Sequence, residues 1–129
     1  MGLDMYLNKI KVNENGNTHS TEIKYWRKCN QIHDWFLRHG NLDYSFNAGN
    51  EPLYVDKEMA KQFLNELKIA IEDHEKAKEL FPTADGFFWG SPEYDEWYYK
   101  DLQKTRADLV GAYLDTDWDN EHWEYSCWW

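Results

Sequence analysis

The sequence predicts an α+β fold: a small antiparallel sheet that includes both ends of the chain, packed against three helices. Three observations carry this. Leu3, Met5 and Leu7 alternate with Asp4, Tyr6 and Asn8 near the start, the period of a half-buried strand. Trp123, Tyr125 and Cys127 alternate with Glu124 and Ser126 near the end. Between them lie stretches whose apolar residues recur at three- and four-residue spacing, the period of a helix. An apolar strand left unpaired would be an aggregation edge, and an isolated hairpin is marginal, so both ends belong to one sheet.

The elements follow in order. Leu3 to Val12 is a strand with a bulge near Asn8-Lys9. Asn13 to Ser20 is a polar loop, tightest at Asn15-Gly16, and Glu22 to Trp26 hairpins back as a second strand. Arg27 to His39 is a helix, with Cys29, Ile32 and Phe36 on one face beside Trp35, and Gly40 as its stop. Asn41 to Pro52 is a loop whose Tyr44 and Phe46 fold back on the body, and Leu53 to Val55 is a short strand. Asp56 caps the longest helix, Lys57 to Leu80, which buries Met59, Phe63, Leu67, Ala70 and Ile71 with Ala60 and Leu64 beside them. Glu72 to Glu79 is its solvated part. Pro82 ends that helix, because it disfavours helical backbone at Phe81. Ser91-Pro92-Glu93 starts another: Ser91 caps it, Pro92 takes the first position, and Glu93 and Asp95 suit the positive dipole end. This helix runs to about Leu114 with Tyr94, Trp97, Tyr98, Leu102, Leu109 and Tyr113 along one face. Asp115 to Asn120 is an acidic loop before the last strand, Trp123 to Trp129. No repeat or linker divides the chain, so residues 1–129 form a single domain.

The 129 residues carry a net charge of -10, and 18% are aromatic, with eight Trp. The charge is wrong for a nucleic-acid binder, which neutralises phosphates with clustered Lys and Arg. It suits a partner with a basic surface, or mimicry of nucleic acid. An ordinary core does not need eight Trp, so some belong to an interface or pocket. Cys29 and Cys127 are expected as buried, reduced thiols in a cytoplasmic protein. MGLDMYL lacks a basic region and a long apolar run, so no signal peptide is expected, and Tyr6 breaks the myristoylation pattern. No apolar stretch approaches a membrane span.

The least ordinary stretch is Leu80 to Tyr99. Phe87, Phe88 and Trp89 follow one another between Gly86 and Gly90. In an extended chain they cannot all point one way, so at least one faces a groove unless the triplet is a core plug. As a pocket, its walls are Phe87, Phe88 and Trp89 opposite Tyr94, Trp97 and Tyr98, with the free N–H groups behind Ser91 as floor. Trp26, Arg27 and His33 complete it, Arg27 supplying a fixed positive charge. Two ligand classes fit: a small anionic, nucleotide-like molecule, or a protein with a basic surface. The enzymatic alternative is a small hydrolase or transferase using His33 with Glu93 or Asp95. Asp115, Asp117 and Asp119 copy the first acidic positions of a calcium loop, but Asn120 and Ser126 stand where Gly and Glu are required. Zinc spacing, phosphate loops and dinucleotide fingerprints are absent from the sequence, so no cofactor is expected.

Three segments carry a resemblance: MGLDMYL, IKYWRKCNQIHDWF and LFPTADGFFWGSPEYDEWYYKDL. Together they resemble a family of small uncharacterised bacteriophage and bacterial proteins that open with MGLDMYL. That family carries a YWRK helix ending in IH and WF, and a PT segment leading through GFFFG to EYDEYY. The likeness spans Met1 to Leu102. Trp89 stands for a third Phe and Trp97 for a Tyr, and both changes keep the aromatic character. The resemblance implies a phage or mobile-element context, the cytoplasm of a bacterial host, and a non-enzymatic accessory role such as sequestering a host factor in counter-defence. It implies no particular chemistry.

Overall fold

The computed structural model describes residues 2–83 and 91–129. Eight elements follow in the order β1 (Asp4–Val12), β2 (Thr18–Arg27), α1 (Asn30–His39), β3 (Leu53–Val55), α2 (Lys57–Glu72), α3 (His74–Leu80), α4 (Glu96–Asp115) and β4 (Glu121–Trp128). The strands form one antiparallel sheet in the order β2-β1-β4-β3, so the first and last strands lie side by side at its centre. This is the α+β arrangement that the alternating ends predict.

Register explains why the sheet has one dry face. Met5 pairs with Cys127 and with Trp26, and Leu7 pairs with Tyr125. Directly paired residues share a face, and Met5, Leu7, Trp123, Tyr125 and Cys127 are all buried. Against that face pack Ile32, Trp35 and Phe36 of α1, Phe63, Leu64 and Leu67 of α2, and Leu102 and Leu109 of α4. Rings set the geometry: Phe36 stacks on Tyr125 at 4.1 Å and 14°, and Trp35 meets Phe36 edge-on at 5.4 Å. The opposite face carries Tyr25, Tyr54 and Trp128, all exposed.

Several boundaries differ from the sequence reading. The strand pairing runs further into the polar loop: β2 begins at Thr18, and only Asn13 to Asn17 form the turn, closed by Asn13 N–H to the Asn17 carbonyl at 2.8 Å. Ladder hydrogen bonds do not need apolar side chains, so Thr18 and Ser20 pair with Val12 and Ile10. The expected bulge lies at Leu7/Asn8, one residue from its predicted place. Helix α1 starts at Asn30 because β2 continues to Arg27 and Lys28 turns the chain with φ 54. The long helix is two. Asp73 adopts extended backbone, and its carboxylate accepts from the N–H groups of Glu75 and Lys76, capping α3 and ending α2. An Asp side chain competes with the helical ladder for such donors. Ala77 of the supposedly solvated part is buried. Within α2, Met59 and Ile71 are only half-buried, while Ala60 and Leu64 are buried. In the loop before β3, Phe46 folds back and is buried, but Tyr44 is exposed. Phe46 is held from the far end of the chain, its carbonyl accepting from Trp129 Nε1 at 3.0 Å.

Helix α4 also starts later than Ser91 predicts. Asp95 is its cap, accepting from Tyr98 N–H at 3.0 Å. Ser91 caps only a local turn, its hydroxyl accepting from Glu93 N–H at 3.1 Å. Residues 92–94 are tied down ahead of the helix: Thr83 donates its hydroxyl to the Pro92 carbonyl at 2.7 Å and its N–H to the Tyr94 hydroxyl at 3.1 Å.

Candidate functional site

The start of α4 faces the start of α1 across a cleft of about 280 Å³. Each wall has a local cause. On the α4 side, Asp95 fixes where the helix begins. That beginning sets Trp97 outward, 65% exposed, while Tyr98 turns inward at 3%. Asp101 follows Trp97 by one helical turn and lies in the same cleft wall. On the α1 side, the left-handed turn at Lys28 brings that lysine and Gln31 to the cleft. Asn30 ties the two sides together by donating to the Ser91 carbonyl at 2.8 Å. Gln31 donates to the Tyr98 carbonyl at 3.4 Å.

The lining is acidic: Glu93, Asp95 and Asp101 stand against Lys28. Burial pushes the Asp101 carboxyl upward, and Cys29 Sγ lies 3.8 Å from its Oδ2. Burial, reinforced by Asp101, holds the Cys29 thiol well above its ordinary value, which disfavours the thiolate. Tyr98 is a structural anchor. Its hydroxyl donates to the Phe81 carbonyl at 2.6 Å, with the Ala77 carbonyl at 3.1 Å, and burial raises its pKa.

The sequence-predicted residues divide into groups. Ser91, Glu93, Asp95, Trp97 and Tyr98 line this one cleft. Tyr94 packs edge-on against Tyr98 at 4.9 Å, under Lys78 Nζ at 5.6 Å. Trp26 belongs to the core, its indole donating to Thr105 Oγ1 at 2.8 Å. Arg27 pairs with Asp4 at 3.1 Å. His33 is fully buried, with Nδ1 2.6 Å from the Tyr125 hydroxyl. Burial lowers its pKa to about 4. Thus the cleft does not gather His33 with Glu93 and Asp95. Phe87, Phe88 and Trp89 lie outside the described residues.

Lys28, Gln31 and Asp101 were missed by sequence reasoning. Asp101 had a signal, since it follows Trp97 by four residues and Tyr98 by three. Lys28 and Gln31 had none, because their place depends on where β2 stops.

The acidic loop serves its own turn. Asp117 accepts from Asp119 N–H at 3.3 Å and from Asn120 Nδ2 at 2.8 Å. Among the described residues no group of three or more His, Cys, Asp and Glu side chains is placed to hold a metal ion, and no helix is long and apolar enough to cross a membrane. No family model, curated protein or solved structure matches the chain.

Proposed function

We propose that this protein is a non-enzymatic binding protein that holds a partner with a basic surface through the cleft between α1 and α4. One observation carries the reading: Glu93, Asp95 and Asp101 surround a cleft beside a Trp97 ring that is 65% exposed. Exposed Trp beside carboxylates suits a Lys or Arg side chain, which takes charge pairing and ring contact together. Lys100 Nζ already lies 4.9 Å from the Trp97 ring centre, as a cation would. The net charge of -10 steers basic partners toward the whole molecule. In the phage context that the motifs imply, the partner is a host protein and the result is its sequestration, a counter-defence role.

A nucleotide-like ligand is less well supported. The Tyr98 N–H at the start of α4 is taken by Asp95, and the lining carboxylates repel phosphate. The enzymatic alternative lacks its base, because His33 lies inside the core against Tyr125.

The test uses fluorescence anisotropy with three labelled probes: a short Lys- and Arg-rich peptide, its Glu-rich counterpart, and ATP. The basic peptide should bind, more weakly as salt rises, and Asp101→Asn with Glu93→Gln should weaken it about tenfold. Preferential binding of ATP would contradict the reading.

A further inference from the structure

The sheet face turned away from the helices carries a second feature, independent of the cleft. Register places Trp128, Asp4 and Arg27 in one row across it, Tyr6 and Tyr25 in the next, then Glu22, Asn8, Glu124 and Tyr54. Tyr25, Tyr54 and Trp128 are 43%, 59% and 62% exposed. These rings lie on paired strands, and two of them are packed: Tyr25 on Tyr6 at 5.5 Å, and Tyr54 on His122 at 4.2 Å. Rigid aromatics of this kind lose little entropy when a partner covers them.

At one end of this face is a pocket of about 370 Å³. Tyr54 and Trp118 supply rings, and Glu14, Asp119 and Glu121 supply carboxylates. Glu121 is engaged at both oxygens, accepting from Asp117 N–H at 2.8 Å and facing Lys9 Nζ at 3.8 Å, which leaves Glu14 and Asp119 to the pocket. Among the described residues no Lys or Arg lines the pocket. An ammonium or guanidinium group is the ligand chemistry that rings and carboxylates share.

We infer that this open sheet face docks a basic protein surface, anchored by one Lys or Arg side chain in the pocket beside Tyr54 and Trp118. Charge decides the occupant. A second copy would bring another chain of net charge -10 against this one. A basic partner meets complementary charge at Glu22 and at the pocket carboxylates, Asp4 being paired with Arg27 and Glu124 with His122. Four strands at about 4.8 Å spacing and about 3.3 Å per residue give a face of roughly 500 Å², below a standard interface side, so the contact is a transient one.

The experiment titrates isotope-labelled full-length protein with a peptide of alternating Arg and Leu, and with one of alternating Glu and Leu. The Trp indole N–H signals separate the two surfaces, because Trp128 reports this face, Trp118 lines the pocket at its end, and Trp97 reports the cleft. With the Arg peptide, Trp118 and Trp128 should shift, and Tyr54→Ser combined with Asp119→Asn should weaken that binding at least tenfold at unchanged melting temperature. Shifts confined to Trp97 would overturn the inference while leaving the cleft reading intact. Equal binding of the Glu peptide would overturn it too, as would concentration-dependent Trp128 shifts without peptide, which would assign the face to a second copy.

Discussion

His33 and Tyr125 join helix α1 to the central strand β4 through a hydrogen bond of 2.6 Å between His33 Nδ1 and the Tyr125 hydroxyl. Both side chains are fully buried. Burial lowers the His33 pKa from 6.5 to about 4. Between those values the unfolded chain binds a proton that the folded chain refuses. Stability from this site is therefore present above the unfolded value and is lost as pH falls toward the folded one. At ~1.4 kcal/mol per unit the loss amounts to about 3 kcal/mol. Urea unfolding at a series of pH values should show wild type losing more stability on acidification than His33→Gln. Parallel pH profiles would contradict this.

Tyr125→Phe removes only the hydroxyl and leaves the ring stacked on Phe36. It deprives buried His33 of that partner, and the expected cost is about 1–3 kcal/mol. The midpoint of urea unfolding at neutral pH measures it.

Asp73 separates α2 from α3 by accepting from two backbone N–H groups. Asp73→Ala should destabilise by about 0.5–2 kcal/mol, with helix content preserved or raised, because one continuous helix becomes possible. Circular dichroism and thermal unfolding together read both effects. A loss of helix content would show that the break is imposed by packing rather than by the cap.

Removing Trp123 to Trp129 deletes most of β4, which pairs with both β1 and β3. It takes Trp123, Tyr125 and Cys127 out of the core. The truncated protein should not unfold cooperatively. A cooperative melt from it would refute the central place of β4.

Much of the architecture was legible in the sequence because its signals are local. Alternation at Leu3 to Leu7 and at Trp123 to Cys127 fixes the buried sheet face without knowledge of the partners. The break at Asp73 and the start of α4 at Asp95 were not, because Asp and Ser are comparable caps and tertiary contacts choose between them. Thr83 contributes to that choice by hydrogen-bonding the Pro92 carbonyl and the Tyr94 hydroxyl ahead of the helix. In the candidate site, Trp97 and Tyr98 were legible as aromatics but not as opposites. One residue of helix rotation sends the first to solvent and the second to the core. Trp26 and His33 were expected to complete the site; instead the Trp26 indole donates to Thr105 and His33 pairs with the Tyr125 hydroxyl inside the core.

The charge leads to a prediction about nucleic acids. With a net charge of -10, counterion release cannot drive binding to a phosphate backbone. Gel shifts with DNA or RNA at physiological salt should show no complex. A salt-sensitive shift at submillimolar protein would refute this.

The most direct test of the binding role is Trp97→Ala, with melting temperature and affinity for the Lys- and Arg-rich peptide measured on the same sample. Trp97 is 65% exposed, so its loss should barely change the melting temperature. Binding should weaken by about 2 kcal/mol, the loss typical of an interface Trp. Unchanged affinity in a protein that melts as wild type would contradict the proposed role of the cleft.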